Sequence, residues 1–389
     1  MNTQLAEHIQ SLFAKRFNQF PLLIASPGRI NLIGEHTDYN DGFVFPASID
    51  KYIIAAFSKS DDNLSHIYSI DFDEGVTIDL NNFEKQETGS WKNYVFGVID
   101  ELQKRGIKPG NFNLVFGGNI PLGAGLSSSA ALENSIVFGL NELFSLGLSK
   151  EEKVLISLHA EHHFAGVKCG IMDQFSIMNG KAGNALFLDC RDLSCEAIPI
   201  QLEDYQFILI NTNVKHQLAG SAYNKRKEEC HEGLHILQSK YPQLQSLRDT
   251  NLEQLNALKE EMPPIIFKRC LYVIEENERV KAAKTAIQNK QWKNFGQLLF
   301  ASHHGLQHLY EVSCPELDFL VEQAKNHGAV LGSRMMGGGF GGCTLNLIQN
   351  DGVEDFISKI TKDYFREFNQ SVSFYPVHIA NGTHVILDH

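Results

Sequence analysis

No stretch of this sequence approaches the roughly 20 apolar residues that a bilayer-spanning helix needs. The longest apolar runs, such as Tyr52 to Phe57, are far shorter, so a membrane span is not expected. The continuous apolar core of a secretory leader is missing too. Leu5, Ile9, Leu12 and Phe13 recur instead at helical spacing, with Glu7, His8 and Gln10 between them, which reads as an amphipathic helix. Positive charge is in deficit: 34 Lys and Arg face 46 Asp and Glu, a net charge of −12. That balance argues against nucleic acid or an anionic membrane as partner. Cysteine is scarce and scattered, seven residues with no C-x-x-C pair, which points to reduced thiols and a cytoplasmic chain. There is no internal repeat, no low-complexity linker and no obligate protein partner in view.

What is present is globular. The 43% apolar and 21% charged shares are those of a folded protein, and 389 residues suggest two domains. Leu22 to Ala25, Tyr52 to Ser58 and Phe112 to Phe116 read as strands. Tyr94, Val98 and Leu102 place a helix before Gly106. A longer helix is expected from about Ser128 to Phe144, with Leu132, Ile136 and Leu140 as its buried stripe. Ser149 and Glu152 form a capping box for the next helix, which ends near Gly166. A hairpin over Ala185 to Ile200 closes the first unit. Later, Pro315 starts a helix that Gly328 should end, and Thr344 to Leu347 is strand-like.

Three segments carry chemistry. In Pro121-Leu-Gly-Ala-Gly-Leu-Ser-Ser-Ser-Ala-Ala131, Gly123 and Gly125 let a phosphate approach the backbone, and three serines open a helix. A helix N-terminus offers free N–H groups and a positive dipole end, and a serine hydroxyl can ligate Mg²⁺. The Walker A lysine is absent, so this is not a P-loop. Taken alone, the segment is equally compatible with a plain turn and serine cap. The second segment, Pro27 to Gly42, interleaves Arg29, Glu35, His36, Asp38 and Asn40 with Ile30, Leu32 and Ile33. Carboxylates and imidazole suit a ligand rich in hydroxyls. The third, Gly332 to Cys343, has five glycines in the six positions from Gly337, which lets backbone come close to something. His159-Ala-Glu-His-His163 lacks the H-E-x-x-H spacing of a zinc site.

Together these segments, in this order, resemble the GHMP small-molecule kinases over essentially the whole chain, and their galactose-phosphorylating members above all. The resemblance implies an α+β GHMP kinase fold: an N-terminal domain like ribosomal protein S5 domain 2, a ferredoxin-like C-terminal domain, and the active site in the cleft between them. The boundaries implied are 1–200 and 201–375. In this family the chain end commonly returns to the first domain, so 376–389 stays open between the two. The implied reaction is transfer of the γ-phosphoryl group of ATP to the C1 hydroxyl of galactose, with Mg²⁺ as cofactor, at the start of galactose catabolism.

Roles carry over residue by residue. Asp173, in Cys169-Gly-Ile-Met-Asp-Gln-Phe175, matches the catalytic base, and Arg29 the catalytic arginine. Without the family, Asp173 would read as a helix N-cap and Arg29 as a surface ion pair. Glu35, His36, Thr37 and Asp38 match sugar-contacting positions, the first two toward the 6-hydroxyl end and Asp38 toward the ring hydroxyls. Gly170 backbone and Tyr223 are the other implied sugar contacts. The charged run Lys225 to Glu232 beyond Tyr223 reads as a solvated helix face. Gly123, Ala124, Gly125, Leu126, Ser127, Ser128 and Ser129 match the ATP loop, and Ser129 with Glu161 the Mg²⁺ ligands. Two relatives compete. An N-acetylgalactosamine kinase typically carries Ile where Thr37 stands here. A catalytically silent sugar sensor can carry deletions in the serine-rich loop, which is intact here.

Overall fold

The computed structural model describes residues 3–121, 123–214 and 219–387; Leu122 of the serine-rich segment and the last two residues of the tail lie outside them. Among the described residues, thirteen strands form three sheets. They are β1 (Leu22–Asn31), β2 (Phe43–Val44), β3 (Pro46–Lys59), β4 (Ser65–Ser69), β5 (Glu74–Ile78), β6 (Phe112–Gly118), β7 (Asn184–Asp189), β8 (Cys195–Pro199), β9 (Tyr205–Asn211), β10 (Val330–Met335), β11 (Cys343–Gln349), β12 (Ser373–Pro376) and β13 (His384–Val385).

The six-stranded sheet has the order β13-β1-β3-β6-β4-β5. Its central strands are buried on both faces, which is why they read as apolar runs rather than alternating patterns. The pleat sorts them by parity. Ile53, Ala55 and Phe57 face the main core under the helix Ser128–Phe144, while Tyr52, Ile54 and Ala56 face Ile9 and Phe13 of the N-terminal helix Thr3–Phe17. The capping box of Ser149 and Glu152 is formed at the start of the helix Lys150–Ala160. That helix continues as a π-helical turn, Glu161–Ala165, ended by Gly166 in the left-handed region.

The four-stranded sheet, β10-β11-β9-β12, is wholly antiparallel. Ile208 and Ile210 pack under the helices Pro315–Lys325 and Val353–Phe368. Phe207 and Leu209, on the opposite face, join the main core with Val280, Phe295 and Leu299, from helices Pro264–Gln288 and Trp292–Gly305. One core thus runs from the first sheet to the second and holds the cleft walls together. After β12 the chain crosses back: Ala380 N–H donates to Ser48 O, and β13 pairs antiparallel with β1.

Three local expectations differ. β1 does not stop at Ala25 but continues to Asn31, with a register shift between Pro27 and Arg29. The helix begun by Pro315 ends at Lys325 with Asn326 as its cap, before Gly328, because that helix end is closed by backbone bonds to Ala324 and Glu322 without a glycine. The Lys225–Glu232 run is not wholly solvated. Arg226 and Glu229 are buried, and Arg226 donates to the carbonyls of Tyr310 and Glu311.

Candidate active site

Four carboxylates, Glu35, Asp38, Glu161 and Asp173, line one cavity of about 140 Å³ together with Arg29, His36 and Tyr223. Its far wall is the backbone of Gly337 and Gly338. The residues come from both sheets' surroundings, so the cavity is the cleft itself.

Arg29 lies on the bulged end of β1 and is 4% exposed. Its Nε and Nη2 donate to Asp173 Oδ1 and Oδ2 at 2.8 and 2.9 Å, and its Nη1 to Gly125 O at 2.6 Å. Its own N–H meets Leu126 O at 3.2 Å. Burial works against the guanidinium charge, yet Asp173 and then Glu35 hold its pKa above the ordinary value. Asp173 sits in the first turn of the helix Met172–Asn179, whose N-cap is Ile171, and caps nothing. Its carboxylate also accepts from Ser127 Oγ. Ser127 stands at the N-cap of the long helix with φ 59°, in the left-handed region. A non-glycine residue there costs energy, and such residues persist where the surroundings impose them. Here the turn brings the serine-rich loop onto Arg29 and Asp173 together.

Glu35 is fully enclosed. Arg334 Nη2 and Gly337 N–H both donate to its Oε1, at 2.9 and 2.8 Å. Arg334 also donates to the carbonyls of Leu32 and Asn31, so it bolts the third segment to the second. The glycine loops themselves touch: a Cβ on Gly337 would lie 3.3 Å from Gly125 O. Asp38 is pushed up to about 7, first by burial and then by Asp173. Gly170 abuts it so closely that a Cβ would fall 2.0 Å from Asp38 Oδ2. Tyr223 packs its ring 5.2 Å from that of His36. Thr37 is not brought to the cavity. Its hydroxyl is spent within the loop, beside the carbonyls of Gly34 and Phe43.

Ser129 Oγ donates to Glu161 Oε1 at 3.0 Å. Glu161 opens the π-helical turn, a local widening that recurs at functional sites. Gln174 Nε2 donates to Glu161 Oε2 at 2.6 Å and to Glu133 Oε2 at 3.3 Å. Burial, then Asp173, lifts Glu161 to about 7. Burial, then Glu161, lifts Glu133 well above the carboxylate range, and Glu133 Oε1 has no partner. Among the described residues no three His, Cys, Asp or Glu side chains converge as a metal cluster, but a hydroxyl and one carboxylate suffice for a cation that keeps most of its waters. Cis ligands of octahedral Mg²⁺ at about 2.1 Å lie roughly 3 Å apart, which suits the Ser129–Glu161 pair. The neighbouring histidines turn elsewhere: His162 Nε2 meets Cys169 O and His163 Nδ1 meets Glu101. Of the loop residues, Ala124 and Leu126 are core, whereas Gly123 faces open space.

Sequence reasoning missed Glu133, Gln174, Arg334, Tyr39 and Tyr310. Glu133 carried a signal, since it stands four residues after Ser129 on one helix face. Arg334 lay inside the third glycine segment. Tyr310 carried none, because only the fold brings it to Tyr39, at 2.8 Å between hydroxyls.

This fold and this cavity define a small-molecule kinase of the GHMP superfamily. Residues 93–181 match the GHMP kinases N terminal domain and 283–366 the GHMP kinases C terminal domain, while 11–59 match the galactokinase galactose-binding signature. The chain is 40% identical over 363 residues to the galactokinase of Thermotoga neapolitana, covering 93% of this chain and 99% of that one. It is 41% identical over 379 residues to that of Clostridium perfringens, covering 96% and 98%. The crystal structure of Lactococcus lactis galactokinase complexed with galactose superposes with a TM-score of 0.94 at 37% identity, covering 98% and 100%. Mevalonate kinase of Methanococcus jannaschii, at 18% identity and a TM-score of 0.66, shares the fold. The chain belongs to the galactokinase family, and its activity is the ATP-dependent phosphorylation of galactose.

Proposed function

We propose that the cavity holds galactose with its C1 hydroxyl toward Asp173, and that the phosphoryl group lands on that hydroxyl to give galactose 1-phosphate. The observation that carries this reading is the two-bond fork of Arg29 on Asp173 at the cavity wall, closed on its third side by Gly125 of the glycine loop. Asp173 takes the C1 proton. Arg29 holds that carboxylate in place and offsets charge developing between nucleophile and γ-phosphate. Phosphoryl transfer needs positioning and charge neutralisation above all. Glu35, His36, Asp38, the Gly170 backbone and Tyr223 hold the sugar. Gly123 to Ser129 cradle the phosphates with backbone N–H groups at the helix start. Ser129 and Glu161 would hold Mg²⁺, which when bound neutralises phosphate charge. Two domains, 1–200 and 201–375, with the tail from 376 returning to the first, and a cytoplasmic setting consistent with seven free cysteines, complete the reading.

The test is a sugar panel in an ADP-release assay, run on the wild type and Asp173→Asn. Galactose is the preferred substrate. Glucose, its C4 epimer, leaves the groups facing the axial 4-hydroxyl unpaired, for a discrimination of roughly 10⁴ or more. Asp173→Asn keeps both ligands bound while kcat falls ~10²–10⁴-fold. Comparable kcat/KM for the two sugars, or an unchanged kcat in the variant, refutes the assignment.

A further inference from the structure

His36 is 3% exposed and in the left-handed region, with φ 62°. Three tyrosine rings, Tyr310, Tyr223 and Tyr39, fix its imidazole with centroids at 4.9, 5.2 and 5.8 Å. Burial, and then the charge of Arg226, push its pKa down to about 3, so the ring is neutral at physiological pH. A neutral imidazole has one donor nitrogen and one acceptor, and its neighbours decide which is which.

The neighbours form a line. His36 Nδ1 lies 2.7 Å from the Tyr39 hydroxyl, which lies 2.8 Å from the Tyr310 hydroxyl, which lies 3.1 Å from Cys230 Sγ. Tyr310 and Cys230 are buried. Nε2 has no protein partner, although the residue lines the cavity. Protons could point along this line toward His36 or away from it. A phenol is a stronger acid than a neutral imidazole N–H, and an imidazole nitrogen is a better acceptor than a phenol oxygen. The O–H to Nδ1 bond is therefore the stronger arrangement. The terminal sulfur, weak both as donor and as acceptor, does not reverse it. The neutral ring carries one proton. With Nδ1 taken by Tyr39, that proton falls to Nε2.

We propose that Tyr39 and Tyr310, backed by Cys230, form a hydroxyl relay that locks His36 in its Nε2-protonated tautomer and so presents a single N–H donor to the sugar. Tyr39 and Tyr310 are positioning residues acting through His36. The proposal rests on the galactose reading of the cavity and deepens it. A carboxylate can only accept hydrogen bonds. A site of carboxylates alone would accept the protons of the sugar hydroxyls and leave their lone pairs without donors. His36 supplies the complementary donor, so the hydroxyl facing it is read as an acceptor.

The test uses the full chain with ¹⁵N-labelled histidine, the His36 signals being assigned by their loss in His36→Gln. In the free wild type, Nε2 is protonated and Nδ1 is an unprotonated, hydrogen-bonded nitrogen. Tyr39→Phe removes only the donor to Nδ1. The Nδ1 signal moves, KM for galactose rises about tenfold, the worth of one hydrogen bond, and kcat and KM for ATP change far less. Tyr310→Phe, one link further back, shifts the same signal and the same KM by a smaller factor. A wild-type ring protonated on Nδ1 overturns the relay. So does a Tyr39→Phe variant that melts lower while its Nδ1 signal stays put, since that marks a purely structural tyrosine. If the tautomer responds as stated but galactose does not compete at the cavity, the sugar reading fails and the relay stands.

Discussion

Replacing Glu161 by glutamine should make the ligand-free protein more stable while it weakens productive Mg·ATP binding. Glu161 is 7% exposed, and its pKa rises from 4.5 to about 7, by burial first and by Asp173 second. At about 1.4 kcal/mol per pH unit, that rise corresponds to about 3 kcal/mol held against the ionised form. The sign follows from linkage. The folded state binds this proton more tightly than the unfolded one. Its stabilising contribution is therefore complete below about pH 4.5 and is lost as pH climbs through 7. Glutamine neither ionises nor changes shape. It still accepts from Ser129 Oγ, and its amide can pair with Gln174 once that amide turns over, since Gln174 Oε1 has no partner now. The turn costs Gln174 its contact with Glu133, so a net gain of about 1–3 kcal/mol at pH 8 remains. Urea unfolding of wild type and Glu161→Gln between pH 5 and 8, without metal, reads this directly. The gap should be small at pH 5 and widen with pH. Adding Mg·ATP should then stabilise the wild type and leave the variant nearly unmoved. A variant that is equally or less stable than wild type at pH 8 without metal would sink the reasoning, because Glu161 would then not be a strained, ionised carboxylate awaiting a cation.

Two further outcomes follow from the same geometry. Arg29→Lys keeps the charge but loses the planar fork and two of three hydrogen bonds, so stability should drop by about 1–2 kcal/mol and kcat should fall more than KM changes, measured by denaturation and by ADP release; an unaltered kcat would reduce Arg29 to a structural tie. Gly170→Ala puts a methyl 2.0 Å from Asp38 Oδ2, so KM for galactose should rise at least about tenfold with ATP affinity spared, and equal losses for both ligands in calorimetry would count against Asp38 as a sugar contact.

Much of the framework was legible because it follows from local periodicity. Ile53 to Phe57 alternate between two cores, Ser149 and Glu152 close their box within three residues, and the long helix begins where three serines follow two glycines. The continuation of β1 through Pro27 and Gly28 was not legible, since those residues argue against a strand; what sustains it is pairing with β3 out to Asn31, while β13, from the chain's far end, pairs only with Ile24 and Ala25. The candidate site divides in the same way. Arg29, Glu35, His36 and Asp38 stood out as polar residues set among Ile30, Leu32 and Ile33. Local spacing did not supply their partners, because Asp173 and Arg334 reach Arg29 and Glu35 across 144 and 299 positions and Tyr310 reaches Tyr39 across 271; only the family resemblance singled out Asp173. Thr37 shows the opposite failure: it belongs to the polar string, yet its hydroxyl serves the loop's own carbonyls. A pattern of residue types marks a polar turn, but only the packing decides which of its side chains face the cavity.

The charge of the chain poses a last problem, and the site answers it. A protein of net charge −12 must bring an anionic nucleotide to a cavity already lined by four carboxylates. Fixed cations pair with only two of them, Asp173 and Glu35. Arg29 is consumed by Asp173, Arg334 by Glu35, and Arg226 by Glu229 and two carbonyls. Two of the carboxylates, Asp38 and Glu161, respond by holding protons up to about pH 7. Such groups are poorly placed to receive phosphate and well placed to receive what phosphate arrives with. On the proposed reading, a divalent cation held by Glu161 would stand in for that proton and offset the penalty on the ionised form. On the same reading, sugar hydroxyls donating to Asp38 would favour its ionised form in the same way. The buried negative charge is therefore not a defect that binding must overcome. It raises the energy of the empty site, and on the proposed reading part of that energy would be returned as metal and sugar enter, so that each ligand would be favoured by an electrostatic strain the folded chain already carries.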